Sequence, residues 1–431
     1  MAEMGSAEAE ADGGLRTAGR RIYPRSMDLR PDPNAPLPPA PDPWAGSEMP
    51  SRRDGPPFHM TEMIEAEPAL AARVLRRLAE PDSGAARLAA AIGDAAGGGA
   101  QVIVTGCGTS EHGAQAVAEI LREAMAGAGL PWRLGESGAP LSVQAFEAAL
   151  DDGLGVDTGL VIGISHEGGT WATNLALEGA KAAGARVALI TCSDRSPGAA
   201  LADIVVTTEE LDQSWCHTVG YLSPILAATA AGVHLGEATI DPDAVSALLA
   251  AGLTEGALRA TESMAAALAK VDRLIVVGSG ADRPAARELV LKIEEGAHIA
   301  SAMRDLETLL HGHLAGMDDR TGLVLVLTDP SRVDDRAARA NAVLRAAREI
   351  GVVAGAILGE AYDEAIEGDL TPAGRLGIPG GASLPRTAAS LLGTAVPLQL
   401  LTERLARARN VDPDPIRRDD PAYLRAAEAA G

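Results

Sequence analysis

Three residues that could carry acid–base chemistry stand at helical spacing in the second half of the chain. Glu288, Lys292 and Glu295 occupy positions i, i+4 and i+7, which places them on one face of a helix. A carboxylate beside a lysine in a desolvated pocket is suited to removing a proton next to a carbonyl. Glu before Lys at four residues is also the favoured order of an exposed ion pair. Spacing alone therefore leaves both interpretations open.

A histidine pair follows this helix. His311 and His313 are separated by one glycine, but no further cysteine or histidine cluster stands at ligand spacing from them. The three cysteines of the chain form neither a metal-ligand spacing nor an even disulfide framework, which fits a reducing cytoplasm. We therefore predict no metal site.

Two polar loops in the first half of the chain each join a Val- and Ile-rich run to a helical stretch. Small residues there let the backbone N–H groups of a helix N-terminus approach an anion, and hydroxyls add further donors. The first loop lacks a dinucleotide pattern, because Glu111 stands in place of the third glycine, and it lacks a phosphate-binding lysine. NAD and ATP are disfavoured, and no cofactor is predicted. The loop residues predicted to bind a ligand are Cys107, Gly108, Thr109 and Ser110 in the first loop and Ser165, His166, Glu167 and Thr170 in the second.

The elements that must position these residues occur twice along the chain. In each half, an apolar run enters a Gly-x-Gly turn, and two further apolar runs follow at similar distances. Short apolar runs that alternate with helical stretches predict an α/β fold in which each half is a doubly wound parallel sheet flanked by helices. Ligands of such sheets bind at the carboxyl ends of the strands. The paired runs begin at residues 101, 159 and 185 in the first half and at 273, 322 and 351 in the second.

Composition divides the chain further. Residues 1–57 hold 11 of the 27 prolines and little apolar periodicity, which is typical of a solvated arm. We predict this arm, a first domain over 58–245, a second domain over 246–412 and a tail over 413–431.

Charge and aromatic content exclude several classes of partner. The net charge of −22 makes broad phosphate neutralisation improbable, and 4 Trp, 4 Tyr and 2 Phe are too few for base-stacking platforms. No stretch approaches the roughly 20 apolar residues of a membrane helix, and no apolar segment follows the N-terminal arginines as a secretory signal requires. We expect a cytoplasmic protein that binds neither nucleic acid nor membrane.

Taken together, these motifs resemble the sugar isomerase (SIS) fold family, in particular the isomerase half of glucosamine-6-phosphate synthase and its relatives without a glutaminase domain. The resemblance covers roughly residues 58–415 and includes both polar loops, the Glu288 helix and the segment from Val396 to Leu401. The interval from Glu295 to His311 equals the family's interval between its catalytic Glu and His. The resemblance implies two tandem SIS domains.

The family also implies roles for these residues. Its first-half loops hold the terminal phosphate of a sugar, which maps onto Thr109, Ser110, Ser165, His166 and Thr170. The residue matching Glu295 moves a proton between C1 and C2 through an enediol, and those matching Glu288 and Lys292 orient sugar and base. The residue matching His311 assists ring opening from the neighbouring subunit. A homodimer that binds a small sugar derivative is the implied assembly.

Three departures from the family pattern narrow the expected function. Met1 and Ala2 replace an N-terminal nucleophilic cysteine, so glutamine is not expected to supply nitrogen. The segment 417–420 offers no counterpart to the synthase's Schiff-base lysine. Glu167 stands where the family's phosphate loop has its second serine, and a carboxylate facing a dianion weakens binding. Either His166 or His112 neutralises Glu167, or the substrate carries a different terminal group.

The sequence thus predicts a cofactor-independent aldose–ketose isomerase that acts on a hexose derivative with an anionic or polar C6 group, such as a phosphate or a sulfonate. An amino-sugar phosphate deaminase that uses the same enediol chemistry is the alternative within this class. A non-catalytic sugar-phosphate sensor is the alternative from another class. The combination of Glu288, Lys292, Glu295 and His311 disfavours the sensor.

Overall fold

The computed structural model describes residues 53–130, 139–151, 158–236, 239–381 and 383–430. Most of the arm predicted over residues 1–57 lies outside these ranges. Two five-stranded sheets form the centre of the described structure, and every strand pair in them is parallel.

The first sheet has the order β2-β1-β3-β4-β5. Its middle strands are apolar because helices cover both faces of the sheet. Its strands are β1 (Gln101–Gly106), β2 (Leu141–Gln144), β3 (Thr158–Ile164), β4 (Arg186–Thr191) and β5 (Ile204–Thr207). The helices of this half are α1 (His59–Leu78), α2 (Gly84–Gly97), α3 (Thr109–Gly127), α4 (Ala145–Leu150), α5 (Trp171–Ala182) and α6 (Val219–Leu235).

The second sheet has the order β10-β9-β8-β6-β7, which repeats the plan of the first. Its strands are β6 (Arg273–Gly278), β7 (Ala300–Asp305), β8 (Thr321–Leu327), β9 (Val353–Gly359) and β10 (Gly374–Ile378). The helices of this half are α7 (Pro242–Ala251), α8 (Glu255–Leu268), α9 (Arg283–Lys292), α10 (Leu306–Leu310), α11 (Val333–Ile350), α12 (Arg386–Ala408) and α13 (Pro421–Ala430). The predicted α/β class with two doubly wound parallel sheets is confirmed.

The strand order creates one switch point in each sheet. Crossovers leave in opposite directions from β1 and β3 in the first sheet and from β6 and β8 in the second. A crevice opens at the carboxyl ends of such neighbouring strands, and this is where doubly wound sheets bind ligands. The two predicted polar loops follow β1 and β3, so the fold brings them to the same crevice.

The two sheets share one apolar core. Helix α6 is buried at every residue over 219–231, and α12 is buried at every residue over 390–406. A helix that is apolar on all sides belongs in an interior. One continuous cluster of buried side chains includes Val104 of the first sheet, Val276 of the second and residues of both helices. The position of one half is therefore fixed relative to the other.

The predicted domain boundary between residues 245 and 246 falls inside helix α7. Asp241 caps this helix by accepting a hydrogen bond from the Asp243 backbone N–H, and Pro242 occupies its first turn. This cap-and-proline signal marks a helix start four residues before the predicted boundary. The helix then packs against both α1 and α12, so it belongs to the shared core.

The segment predicted as a separate tail from residue 413 begins inside the folded body. Phe58, at the N-cap of α1, has no side-chain acceptor, and Asp414 supplies one from the far end of the chain. The Asp414 carboxylate accepts hydrogen bonds from the backbone N–H groups of His59 at 2.8 Å and Met60 at 2.9 Å. Helix α13, by contrast, has no buried residue. Within the described ranges, no helix is both long and apolar enough to span a membrane.

We expect Asp414→Ala to lower the free energy of unfolding by about 1–2 kcal/mol, because it removes the cap of α1. Urea unfolding followed by circular dichroism measures this loss. Asp420→Ala is the matched control, since Asp420 accepts from the Ala422 N–H at the start of the exposed α13. Equal stability of the two variants would show that Asp414 does not hold α1.

Candidate active site

Glu288 is the centre of a charged cluster between the two halves of the chain. Its carboxylate has no exposed surface and accepts hydrogen bonds from two residues of α3. His112 Nδ1 lies 2.7 Å from Glu288 Oε2, and Thr109 Oγ1 lies 3.2 Å from Oε1. Burial alone would raise the pKa of Glu288, but Lys292 and His112 together lower it. Glu288 is therefore an ionised, permanently accepting group.

Lys292 is also fully buried, which excludes the exposed ion pair that its spacing equally allowed. Its Nζ lies 2.5 Å from Glu295 Oε2 and 3.6 Å from Glu288 Oε1. Burial opposes the charge of the ammonium group, yet the two carboxylates more than offset this effect and raise the pKa of Lys292. The lysine therefore remains protonated and carries the positive charge of the cluster.

Glu295 is the member of the cluster that faces outward. It lies in a π-helical turn, Ile293–Ala297, and its side chain is 22% exposed. The turn ends at His298, whose backbone is left-handed with φ of 55°. Single π turns and left-handed non-glycine residues occur often at functional sites. Burial raises the pKa of Glu295, and the nearby Lys292 only partly offsets that rise, which makes this carboxylate a stronger base than an ordinary glutamate.

The two polar loops supply a candidate anion site beside this cluster. Gly108 and Thr170 are the N-cap residues of α3 and α5, and neither helix has a side chain that caps it. Gly108 has φ of 58°, a conformation that favours glycine. Two adjacent helix N-termini thus keep backbone donors available at one crevice, where a phosphate or sulfonate would fit. Ser110 Oγ makes no hydrogen bond to any residue that the structure describes and adds a further donor.

Several predicted ligand contacts have other partners. Thr109 Oγ1 donates to Glu288, so its hydroxyl supports the charged cluster. Ser165 Oγ and Thr170 Oγ1 lie 3.1 Å apart and bond each other across the second loop. Thr170 is exposed at the crevice, whereas Ser165 is buried beneath it. Of this pair, Thr170 therefore keeps the geometry of a ligand contact.

The predicted binding role of the His166 side chain is corrected by its orientation. The ring is buried, and its Nε2 accepts a hydrogen bond from the Asp212 backbone N–H at 3.0 Å. Burial lowers the pKa of His166 to about 4, so the imidazole is neutral near pH 7. His166 therefore supports the loop from below and brings no positive charge to Glu167. His112, the other proposed neutralising residue, is paired through Nδ1 with Glu288.

Cys107 lies in the first loop with its thiol partly buried. Gln144 Nε2 lies 3.7 Å from its Sγ, and burial raises the pKa of the thiol. A protonated thiol is a poor nucleophile, so Cys107 can contact a ligand but is not set up for covalent chemistry.

His311 lies apart from the charged cluster within one chain. Its side chain is 70% exposed, and its Nε2 lies 2.6 Å from Glu307 Oε1. No hydrogen bond joins it to Glu288, Lys292 or Glu295 among the described residues. The structure thus unites three of the four predicted catalytic residues and leaves His311 on the surface.

The corresponding crevice of the second sheet is closed by the chain's own carboxylates. Asp282 is fully buried and accepts hydrogen bonds from the backbone N–H groups of Thr328 at 2.7 Å and Asp329 at 3.0 Å. It also accepts from the hydroxyls of Thr328 and Ser390. The Asp329 carboxylate accepts from the Ala281 N–H at 3.1 Å. Donors that remain open in the first crevice are therefore already occupied in the second.

Sequence reasoning missed the contacts of two supporting residues. His112 meets Glu288 across 176 positions of sequence. Asp212, fully buried, organises the segment before α6 by accepting from the backbone N–H groups of Ser214, Thr218 and Gly220. Burial raises its pKa to about 6. Neither residue belongs to a motif, and each acquires its role only from the tertiary fold.

The second half of the chain resembles a known protein family. The family model of the SIS domain matches residues 267–354, which include the whole Glu288–Glu295 segment and His311. This part of the second half is therefore similar to a SIS domain. It is 30% identical over 267 residues, 58% of its length, to a glutamine–fructose-6-phosphate aminotransferase (isomerizing) of Symbiobacterium thermophilum. The chain spans only 42% of the length of that curated relative.

Solved structures extend the likeness to both halves of the chain. The C-terminal domain of glucosamine-fructose-6-phosphate aminotransferase from Francisella tularensis aligns with a TM-score of 0.69 at 19% identity, covering 84% of this chain and 99% of that one. Tagatose-6-phosphate ketose/aldose isomerase from Escherichia coli aligns with a TM-score of 0.62 at 18% identity, covering 83% and 95%. The fold is that of two tandem SIS domains. No cluster of three or more metal-ligating side chains occurs in the described part of the chain.

We expect Lys292→Met to cost about 3–5 kcal/mol of stability, because it leaves buried carboxylates without their cation. The double variant Lys292→Met/Glu288→Gln should recover part of this loss, since it removes the stranded charge as well. Urea unfolding of both variants and of the wild type measures the difference. A single variant as stable as the wild type would contradict a buried ion-pair cluster.

Proposed function

We propose that this SIS protein is an aldose–ketose isomerase that acts on a hexose derivative with an anionic or polar C6 group. The observation that carries the proposal is the buried Lys292, held 2.5 Å from a partly exposed Glu295 whose pKa is raised. Burying a lysine between two carboxylates carries a desolvation cost. Such a lysine is useful where a carboxylate must accept a carbon-bound proton.

The reaction follows from this arrangement. In the open-chain aldose, the Glu295 carboxylate takes the proton from C2, the electron pair forms the C1–C2 double bond, and the carbonyl oxygen O1 takes a proton from solvent water. The resulting enediol then receives the proton from Glu295 at C1, O2 returns a proton to the solvent, and the ketose forms. Lys292 remains protonated throughout and fixes the position of the Glu295 carboxylate.

The loops at the first crevice supply the distal contact of this proposal. The N-termini of α3 and α5, with Ser110 and Thr170, bind the group at C6. Glu167 belongs to the second loop, and the His166 imidazole is neutral near pH 7. Where Glu167 faces the C6 group, a monoanionic sulfonate suffers less repulsion from it than a phosphate dianion does. The proposed substrate is therefore a hexose with either a phosphate or a sulfonate at C6.

The comparisons support the reaction class. The relatives include a ketose/aldose isomerase and an aminotransferase described as isomerizing, and both have sugar phosphates in their names. We limit the proposal to isomerisation, because the chain matches less than half of the curated aminotransferase. The proposal includes a homodimer in which the exposed His311 of one copy assists ring opening at the site of the other.

We expect Glu295→Gln to reduce proton exchange at C1 and C2 at least about 100-fold, because the amide cannot accept the proton. NMR in D2O with hexose 6-phosphates, amino-hexose 6-phosphates and 6-sulfohexoses detects deuterium incorporation at C2 even for slow substrates. Glu294→Gln is the matched control, since Glu294 only accepts a hydrogen bond from the Ser301 N–H. Full exchange in Glu295→Gln would refute the assigned base, and release of ammonia would indicate a deaminase.

We expect Glu167→Ser to tighten binding of fructose 6-phosphate more than binding of 6-deoxy-6-sulfofructose, because the dianion is repelled more strongly by Glu167 than the monoanion. Two unit charges near 4 Å interact by about 4 kcal/mol at an effective dielectric of 20, whereas one lost hydrogen bond costs about 1 kcal/mol. Inhibition constants for both sugars and for an uncharged hexose test this expectation. A constant ratio between wild type and variant would mean that Glu167 does not face the C6 group.

A further inference from the structure

His112 connects the anion-binding half of the site to the half that carries the base. It lies in the first turn of α3, directly after the first polar loop, and its side chain is 14% exposed. Its Nδ1 is 2.7 Å from Oε2 of Glu288, which belongs to the other domain. An ionised carboxylate only accepts hydrogen bonds, so Nδ1 carries the hydrogen.

The two oxygens of Glu288 are satisfied unequally. Oε2 accepts from His112, whereas Oε1 accepts from Thr109 at 3.2 Å and attracts the Lys292 ammonium group from 3.6 Å. Lys292 lies much closer to Glu295, at 2.5 Å. The lysine is thus shared between two carboxylates and sits on the side of the base. The position of the shared cation depends on how well Glu288 is satisfied by its other partners.

We propose that His112 is a positioning residue for the base: by donating to Glu288, it leaves Lys292 paired with Glu295. This inference rests on the proposed function only insofar as Glu295 is the base. Without the His112 donor, a buried carboxylate lacks a partner, and Lys292 is the nearest cation that can replace it. Movement of Lys292 toward Glu288 removes positive charge from Glu295.

Other charged and titratable groups face this cluster from each packed element. On α9 and the turn after it these are Glu288, Lys292 and Glu295 themselves, and on α3 it is His112. The groups on other elements are Tyr221 of α6 and Asp212, Cys216 and His217 of the segment before α6. His298 and Arg417 line the pocket onto which Glu295 opens. A substitution at His112 removes none of these side chains. A change in the base therefore reports the loss of the His112 contact.

Two substitutions separate hydrogen bonding from packing. His112→Asn retains an N–H donor near the position of Nδ1, whereas His112→Leu keeps a similar bulk without any donor. In His112→Leu we expect the acid limb of the pH profile of C2 deuterium exchange to move up by about one pH unit, because Glu295 has lost nearby positive charge. At pH values below the limb, the exchange rate should then be roughly tenfold lower than in the wild type. His112→Asn should retain the wild-type limb. If His112→Leu does not fold, His112→Gln, whose amide lies nearer the Nε2 position, takes its place.

A second measurement needs no substrate. The chain has three lysines, Lys181, Lys270 and Lys292, so protein labelled with 13Cε-lysine gives three resolvable signals. Lys181→Arg and Lys270→Arg, at two exposed positions, assign their own signals and thereby that of Lys292, and these two signals serve as internal controls for folding. We expect the Lys292 signal to shift in His112→Leu and to keep its wild-type position in His112→Asn.

The two readouts distinguish failure of the inference from failure of the proposed function. If no sugar in the panel exchanges with the wild type, the proposed isomerase is refuted, and the lysine spectrum still decides whether His112 positions Lys292. If the Lys292 signal and the acid limb are both unchanged in His112→Leu, His112 only packs against Glu288 and the inference is overturned.

Discussion

A buried negative charge at Glu288 is the constraint on which the arrangement of the site depends. A carboxylate without exposed surface is stable only when donors or cations surround it. Here Thr109 and His112 come from one domain and Lys292 from the other. Separating the two domains would strand that charge, so the electrostatic requirement of one residue reinforces the apolar packing of α6 and α12 between the sheets.

The two domains contribute different parts of the candidate site. The first domain presents open helix N-termini, which suit the anionic end of a ligand, while the second contributes the helix that ends at Glu295. The distance from the first polar loop to the Glu295 carboxylate is fixed, because Glu288 is hydrogen-bonded to helix α3, which begins at that loop. A long substrate can then be held at one end and react at the other without any flexible element between them.

Local patterns in the sequence predicted the elements but not every orientation of their side chains. Glycines in the first loop and the helical spacing of Glu288, Lys292 and Glu295 are short-range signals, and they led to the correct fold and to the cluster. The partners of Thr109 and His112 are 179 and 176 positions away, so no periodicity reveals them. His166 was misplaced because a polar residue in a loop next to a crevice can equally point into the interior, and only the position of Asp212 decides between the two. The boundary inside α7 shows the same limit, since the shared core extends across it.

The closed crevice of the second sheet limits where substitutions could change the ligand preference of this protein. Asp282 already accepts from two backbone N–H groups and two hydroxyls, so a single substitution there would expose several buried donors at once rather than create a usable pocket. New ligand preferences are far more accessible in the first crevice, where changes at Ser110, Glu167 or Thr170 alter donors and charge without unfolding the core. In the proposed reaction the second domain supplies the base, so substitutions in the first crevice can alter ligand preference and leave the base unchanged.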